Sequence, residues 1–166
     1  MRNLRDAADG KTLKTVYLAL CQSIINYCIL AWGGAAQSSL INLERAQRGV
    51  LKVALFKPLL YPTAALYEEA EVLSVRKLFV VRVVAHTHKK TLAMDGYEEL
   101  LKKRVFKIPS VATKTSFSHR CGPFLFPYIY NKMVNLGDLK QCSVSEVKRL
   151  VTNMLLKWSY DKTEQH

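Results

Sequence analysis

Acidic residues are scarce in this chain. Its 166 residues carry 13 Asp and Glu against 25 Lys and Arg, a formal net charge of +12. None lies between Asp9 and Glu44, and none between Glu99 and Asp138. Polymerase or nuclease metal chemistry needs carboxylates that converge on Mg²⁺. Glu68, Glu69 and Glu71 fall on one short helical stretch, but adjacent Glu68 and Glu69 point in different directions and read as solvated-face charges. Glu98 and Glu99 read the same way. No Asp-Asp pair follows an aromatic-rich hairpin, and no glycine-rich phosphate loop is present.

Other sites fail on spacing. Four cysteines make no disulfide scaffold at this length, and Cys21 and Cys28 share a helical face where buried thiols are common. His86 and His88 are two apart and do not share a helical face. His119, Cys121, Cys142 and His166 lack the close pairs of structural zinc. Cys121 and His119 have no third residue to orient a nucleophile and base. The expectation is no metal, no cofactor and no enzymatic activity. Asp6 and Asp9 precede the first apolar run, which removes the pattern of a secretory leader. Gln22 and Asn26 interrupt the weakly charged stretch 15–34 and Gly33-Gly34 closes it, so no membrane span is expected. A reducing intracellular compartment, cytoplasmic or nuclear, follows as the default.

What is present is helical periodicity. Hydrophobic residues make up 49% of the chain, and its length is enough for one sizeable core or two small ones. Leu13, Val16, Tyr17, Leu20, Ile24, Tyr27 and Cys28 recur at helical spacing and predict one helix from Thr12 to Ala31, ended by Gly33 or Gly34 in the left-handed conformation. Ser38 or Ser39 caps a second helix that ends near Phe56. Thr63 caps a short helix through Glu71, and Ser74 caps one that runs to about Lys90. Residues 95–104 predict a short charged helix. Val105 to Lys114 reads as extended, Thr115 to Pro127 as irregular, and Tyr128 to Leu136 as a brief helix. Ser143 and Glu146 form a capping box for the last helix, whose apolar face is Val147, Leu150, Val151, Met154, Leu155 and Trp158. The reading is mainly α: a small helical bundle over 12–92, then a basic, aromatic-rich region with a C-terminal helix over 93–166.

The positive charge favours a polyanionic partner. Arg45, Arg48 and Lys52 lie on the second helix, and Arg76, Lys77 and Arg82, with Lys89 and Lys90, on or near the fourth. The second acid-free interval holds Lys102, Lys103, Arg104, Lys107, Lys114, Arg120 and Lys132, interleaved with Phe106, Phe117, Phe124, Phe126, Tyr128 and Tyr130. Cations neutralise phosphates and aromatics stack on exposed bases; the aromatics serve equally as core under a basic rim.

With these residues in view, the chain resembles part of a non-LTR (LINE-type, jockey or CR1-like) retrotransposon reverse transcriptase. The similar part is the segment after the palm. Leu13, Tyr17, Ile24, Tyr27, Trp32 and Gly33, then Leu43, Gln47 and Leu51 with Arg48 beside Gln47, follow that family's order. Pro62, Thr63, Leu66, Leu73, Val75, Arg76 and Leu78 fit loosely, and Ser116-Phe117 and Tyr130-Asn131 match its distal piece. Lys132-Met133 departs from the Leu-Pro that usually follows that Asn. The resemblance spans about 12–135 and weakly the last helix. It implies a thumb and linker that grip a template–primer duplex and meet a palm domain carrying the catalytic carboxylates of the RNA-directed DNA polymerase. The expected role is nucleic-acid binding without catalysis. Arg45, Arg48, Lys52, Arg76, Lys77, Arg82, Lys102, Lys103 and Arg104 are the backbone-contact candidates, and Trp32, Tyr27 and Leu43 are expected to pack the first two helices. The alternative is a protein-interaction or scaffold fragment, suggested by the apolar breadth of the first helix.

Overall fold

In the computed structural model, which describes residues 9–159, the chain is all-α, with no strand among the described residues. The elements run α1 (Gly10–Val16), a π turn (Tyr17–Gln22), α2 (Ser23–Asn26), α3 (Ile29–Trp32), α4 (Gln37–Ala54), α5 (Thr63–Ala70), α6 (Val75–Leu92), α7 (Tyr97–Lys102), a 3₁₀ turn (Ser118–Arg120), α8 (Gly122–Leu136) and α9 (Val144–Lys157). No helix of the described residues is long and apolar enough to cross a membrane.

The single helix expected over Thr12–Ala31 is broken twice. Its buried residues are Leu13, Tyr17, Ile25 and Ile29, all on an i+4 spacing, with half-buried Cys21 between them. Steps of four drift by roughly 40° each on a regular α-helix. The π turn absorbs an extra residue and holds the row in register. Ser23 Oγ supports it by donating to the carbonyls of Ala19 (2.6 Å) and Leu20 (2.9 Å). Leu20, Ile24 and Tyr27 therefore face outward, with exposures of 61%, 74% and 77%, so Tyr27 does not pack the first two helices as expected. Trp32 and Leu43 do pack on the larger core.

The second break is at Tyr27–Cys28, where Tyr27 is extended and Cys28 is left-handed (φ 50°). Trp32 Nε1 donates to the Tyr27 carbonyl at 2.9 Å and satisfies an acceptor that the break frees. The glycines behind it are not left-handed: Gly33 has φ −68°, and the only glycine with positive φ among the described residues is Gly96. Their absent side chains matter instead. A Cβ on Gly33 would lie 2.3 Å from Phe79 Cδ2, and one on Gly34 would lie 2.8 Å from the Arg120 carbonyl. The pair lets α6 and the 3₁₀ turn approach the backbone.

Caps follow local chemistry. Ser74 and Ser143 cap α6 and α9 as expected, the latter in a full capping box with Glu146. At α4 and α5 the cap positions are Ala36 and Pro62 without side-chain bonds, so Ser38, Ser39 and Thr63 are helical instead. Helix α8 begins before Pro127 and contains it.

Helix α6 is the axle. Val75, Leu78, Phe79, Val81, Val83 and Val84 bury several sides of it, chiefly against α8 and α9. The larger core runs from Ile25 and Ile29 through α6 to Leu100, Phe106, Tyr130, Val147 and Leu155. It crosses the boundary expected at 92/93, which therefore separates no two cores. A smaller cluster joins Tyr17, Leu51, Leu66, Tyr67, Ala70 and Val72.

Two buried polar groups, Gln47 and His88, and the half-buried Asn131 fix these pieces. Gln47 donates from Nε2 to Tyr17 Oη (2.8 Å) and the Leu73 carbonyl (2.9 Å), and its Oε1 accepts from Tyr67 Oη (2.7 Å). His88 Nε2 lies 2.8 Å from the Cys142 carbonyl and must donate to it, so Nδ1 accepts from Tyr130 Oη at 2.7 Å. Asn131 clasps the extended segment after α7: Oδ1 accepts from the Ile108 amide (2.8 Å) and Nδ2 donates to the Ile108 carbonyl (2.9 Å).

Candidate nucleic-acid interface

The nine cations singled out by sequence divide by environment. On α4, Arg45 is exposed and Arg48 half-buried. Lys52 is half-buried too, and its Nζ donates to the Leu59 carbonyl, folding back over the loop after α4. On α6, Arg76 Nε lies 3.4 Å from the buried Glu44 carboxylate of α4. Lys77 is a correction. Its side chain is buried, its Nζ donates to the Trp158 carbonyl at 2.7 Å, and burial lowers its pKa. It ties α6 to the end of α9 rather than facing a partner.

Arg82 is exposed and lines a cleft with Lys148 of α9, a cation the sequence reading left out of the set. Lys102, Lys103 and Arg104 close α7 and are all exposed. Arg45, Arg82, Lys102, Lys103 and Arg104 have no carboxylate opposite them among the described residues.

Some carboxylates, by contrast, hold the fold together, while Glu68, Asp95, Glu98, Glu99 and Asp138 are exposed, Glu98 and Glu99 in the first turn of α7 itself. Glu71 pairs with Lys14 at 2.9 Å, and that hydrogen bond holds its carboxyl below the usual range. Glu69 pairs with Lys57 at 2.7 Å and accepts from Tyr61 Oη at 3.0 Å, and its pKa falls for the same reason. Glu146 serves the capping box. No three His, Cys, Asp or Glu side chains among the described residues converge to hold a metal ion, and His166 lies outside those residues. His88 is part of the core, and His86 sits edge-on to Phe126 at 6.0 Å. Burial, then the Lys90 and Lys89 charges, lower the His86 pKa.

A second cleft, of about 370 Å³, lies between the Gly33–Leu40 junction, α6, α8 and Trp158. Its charged lining residues are Arg76, Arg120 and Lys132, with no carboxylate. Tyr128 lines it and ends a column of rings: His119 to Phe124 at 4.6 Å and 18°, Phe124 to Tyr128 at 5.8 Å and 13°. Arg120 and Lys132 are in the acid-free interval but outside the nine. The signal that finds Lys132 is the i+4 spacing of Phe124, Tyr128 and Lys132 on one helix, while Arg120 lies outside it on the 3₁₀ turn. Starting that helix after Pro127 hides it.

Exposed cations on α6 and at the end of α7 are of the kind that hold a polyanion by its phosphates, with Glu98 and Glu99 of α7 tempering their charge. No family model, curated protein or solved structure matches the chain, so its similarity to the reverse transcriptase segment rests on the residues quoted for it.

Proposed function

We propose that the chain is a non-catalytic nucleic-acid-gripping bundle, similar in role to the thumb and linker of a non-LTR retrotransposon RNA-directed DNA polymerase. It holds the phosphate backbone of a template–primer duplex. The observation that carries this is the exposed cation set Arg45, Arg82, Lys102, Lys103 and Arg104, without carboxylate partners among the described residues, on a chain of net charge +12. Phosphate contacts supply affinity and register without base information, so the reading specifies a backbone partner and no sequence.

Titrating an RNA–DNA hybrid duplex against the protein in rising salt tests it. Affinity falls steeply with salt, and the combined replacement of Lys102, Lys103 and Arg104 by Ala reduces the log–log slope by roughly one for each phosphate-bound cation removed. An affinity indifferent to salt sinks the proposal.

A second reading has its own observation, the outward row Leu20, Ile24 and Tyr27. Such a row suits a protein partner, and the resemblance makes that partner a palm domain. On this reading alone, the duplex is not bound at any salt concentration and Ile24→Asp abolishes association with the partner.

A further inference from the structure

The cleft beside Tyr128 has features that a backbone grip does not use. Its walls are mostly apolar, and every charged residue lining it is a cation. Arg76 is held by Glu44 at 3.4 Å. Arg120 and Lys132 have no such partner among the described residues. The backbone of Arg120 is seated close to Gly34, where a Cβ would come within 2.8 Å of its carbonyl. That close approach holds the 3₁₀ turn at the rim of the cleft.

The ring column supplies the second half of the site. His119, Phe124 and Tyr128 stack within 18° of parallel. Phe124 and Tyr128 are one helical turn apart on α8, and Lys132 is one turn further. Tyr128 is 48% exposed and is the member of the column that lines the cleft. An offset-parallel column presents a π face to whatever continues it. A nucleobase continues it on sequence-tolerant terms, since every base has a π face. A duplex keeps its bases stacked on each other, so only an unpaired nucleotide satisfies both the ring and the cations.

We infer that this cleft takes one unpaired nucleotide of a single-stranded overhang, its base on Tyr128 and its phosphate against Arg120 and Lys132. The inference rests on the nucleic-acid reading above and adds to it a preference for a junction between single and double strand. The walls near Tyr128 are apolar, so the site reads stacking and charge with no base preference. The same chemistry fits an unpaired template or an unpaired primer end.

Fluorescence anisotropy with three labelled probes tests this: a blunt hybrid duplex, the same duplex with a short overhang, and the overhang strand alone. The full chain binds the overhang duplex about tenfold more tightly than the blunt one, the scale of one stacked base. Tyr128→Ala brings the two duplexes to equal affinity, Tyr128→Phe keeps the difference, and Lys132→Gln reduces it several-fold. Circular dichroism checks that each variant is folded, and Lys132→Gln, which leaves the ring column whole, reads the site if Tyr128→Ala fails that check. Equal affinity of the wild-type chain for blunt and overhang duplexes overturns the inference and leaves the backbone grip standing. So does a Tyr128→Ala loss that is the same for both. Binding to none of the three probes overturns both.

Discussion

Gly33 shows how much one hydrogen atom in place of a methyl group can decide. Phe79 occupies the space where a Cβ would be, 2.3 Å from its Cδ2, and the Ile29 carbonyl lies at 2.6 Å. Both sit against the larger core, so neither yields cheaply. Gly33→Ala is expected to cost about 2 kcal/mol through overpacking. Gly49 is the control. It lies inside α4 with nothing within 4 Å of its missing Cβ, so Gly49→Ala should stabilise by about 1 kcal/mol through helix propensity. Urea unfolding of the two variants reads both signs in one assay. At this scale the sequence was informative about identity and silent about cause. Tyr17, Gln47, Trp32, Gly33, Tyr130 and Asn131 stood out as a spaced pattern. Their work is a buried hydrogen-bond hub, a bridge over a helix break, a close approach, a histidine contact and a clasp on a loop. None of these follows from helical spacing, because each depends on how the backbone breaks or on a partner that packing brings in.

Elements with strong local signals were legible. Helix α9 has its start written in Ser143 and Glu146 and its face in Val147, Val151 and Leu155. Its capping box also makes a pH prediction. The Ser143 backbone amide, then its hydroxyl, hold the Glu146 carboxyl below its usual pKa. A depressed folded pKa means stabilisation that is complete above the unfolded value, about 4.3, and lost as pH falls below it. Ser143→Ala should lower stability by about 1 kcal/mol through the lost cap, and Glu146→Gln, which removes the titrating group, should flatten the acid limb below about pH 4. Thermal melts from neutral to acid pH compare the two. In helix α8 and the α1–α3 run a tertiary reason overrides the local signal. Pro127 lacks an amide hydrogen and reads as a helix start. The burial of Tyr130, Met133 and Val134 keeps α8 continuous through it. The left-handed Cys28 carries no local mark at all, since nothing in its side chain favours that conformation.

Across the whole molecule, charge was legible and division was not. The excess of Lys and Arg is plain in composition, but which cations face solvent depends on packing: Lys77 is buried against Trp158 while Arg82, five residues on, is exposed. Composition changes after residue 92 suggest a boundary, yet α6 packs on α8 and α9, and Phe106 and Ile108 join the same core. A chain ended at Leu92 leaves Val81, Val83 and Val84 without their cover. It should show no cooperative thermal transition and should bind a hydrophobic dye, whereas the full chain melts in one step over the α6–α9 core. A sharp melt of the shorter chain would restore the boundary.

The π turn at Tyr17–Gln22 gives the N-terminal run a phase that its length alone does not have. Leu13 and Tyr17 on one side of it, and Ile25 and Ile29 on the other, reach the interior only because one residue is taken up between them. If the same residues wound as an ordinary α-helix instead, every later side chain would turn by about 100°. Ile24 would enter and Ile25 would leave, and Trp32 and Gly33 would swing off the break and off Phe79. Deleting one residue inside the turn removes the surplus and keeps that phase, whereas deleting one elsewhere in the run does not.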